Sequence, residues 1–372
     1  MRSQNIHYLP ELDHLRGFAA LLILLYHGLH NFSYQFRFDA PFSFENWPRS
    51  DNPLLAFLFE AHLSLALFMT LSGFLFAFAC TGRNIHYGQF LRNRVLRIYP
   101  LFLLFLIAGI CAFPKQFDFL SFVQTLTMMG NINGRLTAWP FTAMFWAIAV
   151  ECQFYLLFPA LMLLVNRRGP RVLLALLVLM WVLRYVGLAH DANARDMSYW
   201  TLLGRADQFL IGMMAGHLMA RGRLRPHALY LPAGALGMLL IATVLNRHGG
   251  WPTDASWRIL LPPAEALCCM LFILGYCRLG ARLPESLHRP LTALGVISFS
   301  IYLWHFIVIS TLQRNHWWLT PTGNPYADAL LTTALLVLPV TLLLSGLTWH
   351  NIEKPFLGLR RRYIDTPQPA VN

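Results

Sequence analysis

Apolar runs of about 20 residues recur along the whole chain, separated by short polar connections. They fall at 12–32, 54–79, 95–113, 143–165, 171–188, 202–220, 228–245, 260–278, 293–312 and 327–349. As a helix, each is long enough to cross a hydrocarbon core of about 30 Å. Helices are the expected element, because lipid leaves every backbone group to be satisfied within its own segment. The mixed stretch from Phe117 to Met129 predicts a short interfacial or re-entrant helix. The pattern leaves no room for a separate soluble domain. It predicts an all-α integral membrane bundle of about ten transmembrane helices in one domain, 1–372, with 350–372 as a cytoplasmic tail.

Composition strengthens this picture. The chain is 56% hydrophobic and 12% charged, with mean hydropathy +0.49. Soluble domains carry about 25% charged residues. The net charge of +12 would suggest nucleic acid in a soluble protein, but here it follows the connections. With the N-terminus inside, the inner side holds 18 Lys and Arg, Arg2 among them, and the outer side holds 8, including Arg135. The bias repeats loop by loop and predicts that both termini are cytoplasmic. Six cysteines form no CxxC pair, so neither a zinc site nor a disulfide framework is indicated, and no metal is expected. The first apolar run carries Arg16 and His27 and has no small-residue cleavage site after it, unlike a signal peptide.

Ionisable residues inside spans are costly and are functional candidates by default. They include Arg16, Arg184, Arg205, Glu60, Glu151, Asp207 and Glu265. Counting along alternating spans at about 1.5 Å per residue places His27, His305, Glu151 and Asp207 between mid-membrane and its outer third. Four polar groups at one level predict a shared polar cavity. Arg16 and His27 are eleven residues apart, which is about three turns, so they lie on one helix face about 16 Å apart. Such a line suits an elongated ligand with an anionic head at the inner surface and a reactive end deeper. The inner loop Arg92-Asn93-Arg94-Val95-Leu96-Arg97 adds three guanidinium forks suited to phosphate.

Plainer roles suit other residues. His30, His62 and His190 read as packing histidines, and Arg83, Arg167 and Arg221 as topology anchors. Glu60 and Glu265 sit near the outer edge, where they would reach water, and Arg184 would snorkel or pair within the bundle.

The residues also resemble a known family. Leu12-Asp13-His14-Leu15-Arg16-Gly17, running on to Tyr26-His27, is similar to the opening signature of the acyltransferase 3 family. Leu71-Ser72-Gly73-Phe74, Arg94-Val95-Leu96-Arg97, Trp146 to Glu151, Gly204-Arg205-Ala206-Asp207, Tyr302-Leu303-Trp304-His305 and Glu353-Lys354-Pro355-Phe356 follow in the family's order. The resemblance implies transfer of an acyl group, commonly acetyl from acetyl-CoA, to a hydroxyl of an extracytoplasmic or lipid-linked carbohydrate. It also implies a bacterial inner membrane, and because the sequence stops about 20 residues after the tenth expected span, the stand-alone type without a C-terminal hydrolase-like domain is expected.

Joined to the depth argument, it assigns expected roles. Arg92, Arg94, Arg97 and Ser72 would hold acyl-CoA, with its arm passing Arg16. His27 would act as general base or as an acyl-histidine nucleophile, with Glu151 orienting it and Arg16 as the third member of the catalytic set. Asp207, His305 and Asp13 would serve the acceptor. The rival class is a multi-pass transporter or flippase of a glycan or small anion, which also buries charges at mid-depth. Against it, the two halves show no internal repeat.

Overall fold

A computed structural model describes residues 9–132 and 138–365. Arg2, Arg135 and the end of the expected tail (366–372) lie outside the described residues. Eleven helices build the bundle: α1 (Pro10–Phe38), α2 (Ser64–Cys80), α3 (Tyr87–Ala112), α4 (Phe145–Arg168), α5 (Arg171–Ala189), α6 (Leu202–Ala220), α7 (Tyr230–Arg247), α8 (Leu261–Gly280), α9 (Glu285–Val296), α10 (Ser298–Arg314) and α11 (Pro325–Gly358). Helices therefore occupy all ten expected segments. Seven are long and apolar enough to cross a membrane, or eight if the bent pair α9–α10 counts as one span. The α1 and α6 helices, which carry much of the buried polar chemistry, are not among them.

The boundaries have local causes. Pro10 sits at the start of α1 with Glu11 and Asp13 in its first turn, where a fixed φ and negative charge suit a helix N-terminus. Thr201 Oγ1 accepts the Gly204 amide at 3.0 Å and caps α6. The expected span at 54–79 is broken at Glu60: Asn52 caps a short helix, Pro53–Phe59, before Ala61–Leu63 leads into α2. The Phe117–Met129 stretch contains one short helix, Phe119–Leu126, as predicted. The span at 293–312 becomes α9 and α10, bent by 66°.

Two expectations change at the end of the bundle where α1 begins and α11 ends, called here the proximal face. First, α3 starts well before residue 95, so Arg92, Arg94 and Arg97 are helical residues and not a loop. Second, α11 continues to Gly358, so the first part of the expected tail is helix. Only then does the chain turn back onto α3. The Asn93 amide donates to the Arg361 carbonyl at 2.6 Å and accepts the Arg361 N–H at 3.0 Å. Beyond it, the His86 amide donates to Tyr363 O at 2.8 Å, the Tyr363 ring packs on Phe90 and the Asp365 carboxylate meets His86 at 2.8 Å. The segment 359–365 is a strap across the proximal face.

At the centre, α2 and α6 pack most closely. A Cβ on Gly212 would lie 2.2 Å from Thr70 O, on Gly216 2.2 Å from Phe74 O, and on Gly73 2.1 Å from Phe209 O. Gly212 and Gly216 are four apart, and small residues at that spacing let two backbones touch. By contrast, α5 buries little beyond Leu173 and Arg184, and presents Val178, Trp181 and Tyr185 outward as a lipid-facing helix would.

Candidate functional site

A cavity of about 260 Å³ opens at the proximal face and runs inward between α1, α2, α3, α4, α10 and α11. Asp13 and Arg16 enter it from α1, Ser72 from α2, Arg94 and Arg97 from α3, and Glu151 and Tyr155 from α4. Lys354 and Arg360 enter from the end of α11 and the strap. Helix periodicity decides which arginines take part. Arg94 and Arg97 are three apart and share a face, whereas Arg92 is two from Arg94 and turns away from the cavity.

The cations of this cavity outnumber its acids. Arg16 is 3.4 Å from Asp13, and Arg97 is 2.7 Å from Glu353, which is buried and also accepts from Ser300. Arg94 instead lies over the rings of Phe76 (4.8 Å), Phe90 (5.5 Å) and Tyr155 (5.6 Å), with a buried Nε that has no hydrogen-bond partner. On the strap, burial and then the neighbouring Arg94 and Arg97 push the Arg360 guanidinium down to about 10. A guanidinium still keeps its proton at neutral pH, so like charges converge here on space that suits an anion.

Deeper in, the Glu151 carboxylate accepts from Ser72 Oγ at 2.7 Å and from the Tyr155 hydroxyl. Tyr155 is one turn from Glu151, and the sequence carries the signal for this pair in two polar residues at i, i+4.

His27 stands apart from this carboxylate. His305 Nδ1 is 3.1 Å from the Ile301 carbonyl oxygen, which only accepts, so Nδ1 carries the proton. The other ring nitrogen, Nε2, is therefore an acceptor in the neutral ring. It lies 3.0 Å from His27 Nδ1, so His27 donates and its own Nε2 is left as a lone pair. His27 is half-buried, whereas His305 is fully buried. Tyr302 links the two regions: it lines the cavity, and its ring centroid is 5.9 Å from that of His305.

The four groups expected to share one cavity thus form three separate pairings. Depth alone brought them to one level, but helix rotation separates them. His27 pairs with His305, Glu151 with Ser72 and Tyr155, and Asp207 with a buried Arg184. Asp207 also accepts from Trp181 at 3.2 Å and does not line the cavity. Asp13 faces the proximal cavity, next to Arg16. Glu60 and Glu265, expected at water, are both buried. Glu60 accepts from Trp47 at 2.7 Å and Asn246 at 2.8 Å, and Glu265 accepts from Gln208 at 2.7 Å and faces Arg205 at 3.5 Å. Arg184 pairs within the bundle, and His30 has one hydrogen bond, to Phe59 O at 2.9 Å.

The family model of an acyltransferase domain matches residues 9–350, nearly the whole chain. The chain belongs to the acyltransferase 3 family. It is 27% identical to an acyltransferase of Streptomyces mycarofaciens, over 98% of this chain and 96% of that one. It is 28% identical to an exopolysaccharide production protein of Rhizobium meliloti, over 67% of this chain and 76% of that one. A protein named as a peptidoglycan O-acetyltransferase of Bacillus subtilis matches at 24% identity over 95% of this chain, which spans 56% of that relative. No solved structure matches significantly. The chain is thus an integral membrane acyltransferase, and the transporter reading is set aside.

Proposed function

We propose that this acyltransferase takes an acyl group, acetyl first among candidates, from acyl-CoA on the cytoplasmic side. It passes the group to a hydroxyl of a surface or lipid-linked carbohydrate on the other side of a bacterial inner membrane. The carbohydrate acceptor is supported by the names of the Rhizobium and Bacillus relatives. The orientation is supported by the repeated inside bias of Lys and Arg, which makes the proximal face cytoplasmic.

One observation carries the reading. Arg16 enters the cation-lined cavity, and His27 lies on the same face of α1, about 16 Å further along. A pantetheine arm spans roughly 15–20 Å, so phosphates held at the mouth leave the thioester near His27. Arg94, Arg97, Lys354 and Arg360 would hold those phosphates, and Arg16 would line the path with Ser72 and Glu151. His27 Nε2 then accepts the proton of the acceptor hydroxyl as its oxygen attacks the thioester carbonyl. The tetrahedral intermediate collapses, the thiolate leaves, and His27 returns the proton to it. His305 holds the tautomer that makes this possible, a task that carboxylates perform in many triads.

Incubation of the purified protein with labelled acetyl-CoA and a panel of glycans tests the reading. Release of CoA with label on a glycan is expected. Protein that neither binds CoA nor releases it from the thioester would overturn the proposal.

A further inference from the structure

A second cleft, of about 450 Å³, opens on the opposite, distal face, beyond the end of α1. Its walls come from the last turn of α1, the loop after it and the turn after α7, which bring together Arg37, Phe44, Glu45, Trp47, Arg49 and His248. Gly249 and Gly250 make the turn possible, with φ of 108° and 72°. A Cβ on Gly250 would stand 2.1 Å from Trp47 Nε1, so the turn packs directly on that indole.

Trp47 is a fixed surface. Its N–H donates to buried Glu60, and its ring stacks on His30 with centroids 4.4 Å apart. Phe44 lies parallel to it at 6.3 Å and is half exposed. Trp47 also approaches Tyr26, at 6.4 Å. The Tyr26 ring is in turn 4.9 Å from that of His27, so one intervening ring separates the cleft wall from His27.

The polar rim has a definite character. Arg37 rests over Phe38 and Tyr326, and neither Arg37 nor Arg49 has an acid within ion-pair reach among the described residues. Glu45 is exposed beside them. His248 Nδ1 is held by the Val244 carbonyl at 2.8 Å. Flat aromatic faces suit the apolar face of a sugar ring. Two unpaired guanidinium forks suit a carboxylate or phosphate, and a single carboxylate suits hydroxyls.

We infer that this cleft is an acceptor-binding site for acidic saccharides, which rest on Phe44 and Trp47 with the anionic group on Arg37 and Arg49. The inference rests on the acyl-transfer reading for its purpose, but not for its test.

Calorimetry on protein in zwitterionic nanodiscs, with trigalacturonate and its uncharged methyl ester as probes, decides it. The acid should bind at least about tenfold more tightly than the ester, as expected for charge-assisted pairs. The double variant Arg37→Ala, Arg49→Ala should reduce acid binding to the level of the ester, and Phe44→Ala should weaken both probes alike. Equal binding of acid and ester, binding of neither, or tight acid binding that survives in the double variant would overturn the site. So would a double variant that alters only association with phosphatidylglycerol nanodiscs, since the arginines would then serve lipid headgroups. CoA titration of the same samples reads the donor cavity separately: loss there with intact saccharide binding sinks the donor reading alone.

Discussion

His27 Nδ1 and His305 Nε2 lie 3.0 Å apart, and this contact sets which nitrogen of His27 is free to take a proton. His27→Ala should abolish transfer while the protein stays folded. His305→Ala should lower kcat by roughly 10- to 100-fold, the scale of lost general-base positioning. The donor KM should hardly move, because neither histidine lines the proximal cavity. His305→Gln offers a side-chain oxygen to the His27 N–H and should recover part of the loss. Steady-state kinetics on the three variants check this, and full activity in His27→Ala would defeat the mechanism.

Arg360 gives the cleanest test of the donor mouth. Arg97 also neutralises buried Glu353, so its removal would damage the fold as well as binding. Arg360 makes no ion pair among the described residues and bonds only the Leu357 carbonyl, at 3.0 Å. Arg360→Ala should raise the Kd for CoA by about tenfold or more, the value of a hydrogen bond to a charged group. The wild-type affinity should fall with added salt, and the variant's less steeply. Calorimetric titration at two ionic strengths reads both effects.

The strap should respond to acid. Asp365 is held below the usual carboxylate range, chiefly by its hydrogen bond with His86. A lowered native pKa means that the contact helps the strap above the free value of about 3.9 and is lost as pH falls below it. Hydrogen-exchange protection factors at 359–365, corrected for the intrinsic pH dependence, should hold from neutral pH down to that point and then fall. Asp365→Asn should exchange faster at neutral pH and lose most of the acid response.

Glycine placement makes opposite predictions at two helical sites. Gly212→Ala places a methyl 2.2 Å from Thr70 O and must part α2 from α6, so the melting temperature should drop sharply. At Gly346 a methyl meets nothing within 4 Å, so Gly346→Ala should be neutral or stabilising by about 0.5–1 kcal/mol. Thermal melts in detergent compare them.

Much of this architecture is legible in the sequence, because lipid allows few alternatives to an apolar helix. Period and depth found the helices, and eleven-residue spacing placed Arg16 and His27 on one face. Depth counts hold no azimuth, however, so they put Glu151 beside His27, whereas rotation takes it to Ser72 and Tyr155. Long-range pairing is hidden for the same reason. Nothing local to Arg360 shows that a returning strap carries it to Arg94, and nothing local to Glu60 shows that Trp47 and Asn246 bury it. Charge alone groups Arg92 with Arg94 and Arg97, whereas its two-residue offset from Arg94 puts it on another face of the helix.

Tyr302 has a further consequence. Its hydroxyl donates to Met144 O at 3.1 Å, its ring faces Phe68 at 6.4 Å, and it stands between the proximal cavity and the histidine pair. In the proposed orientation, these two rings are also the insulation between cytoplasm and exterior. An enzyme that reacts a substrate from each compartment must let an acyl group through without becoming a leak for protons. A pair of aromatic rings, one of them tethered through its hydroxyl, would be a stopper of that kind and would spare the cell's membrane potential at each turnover.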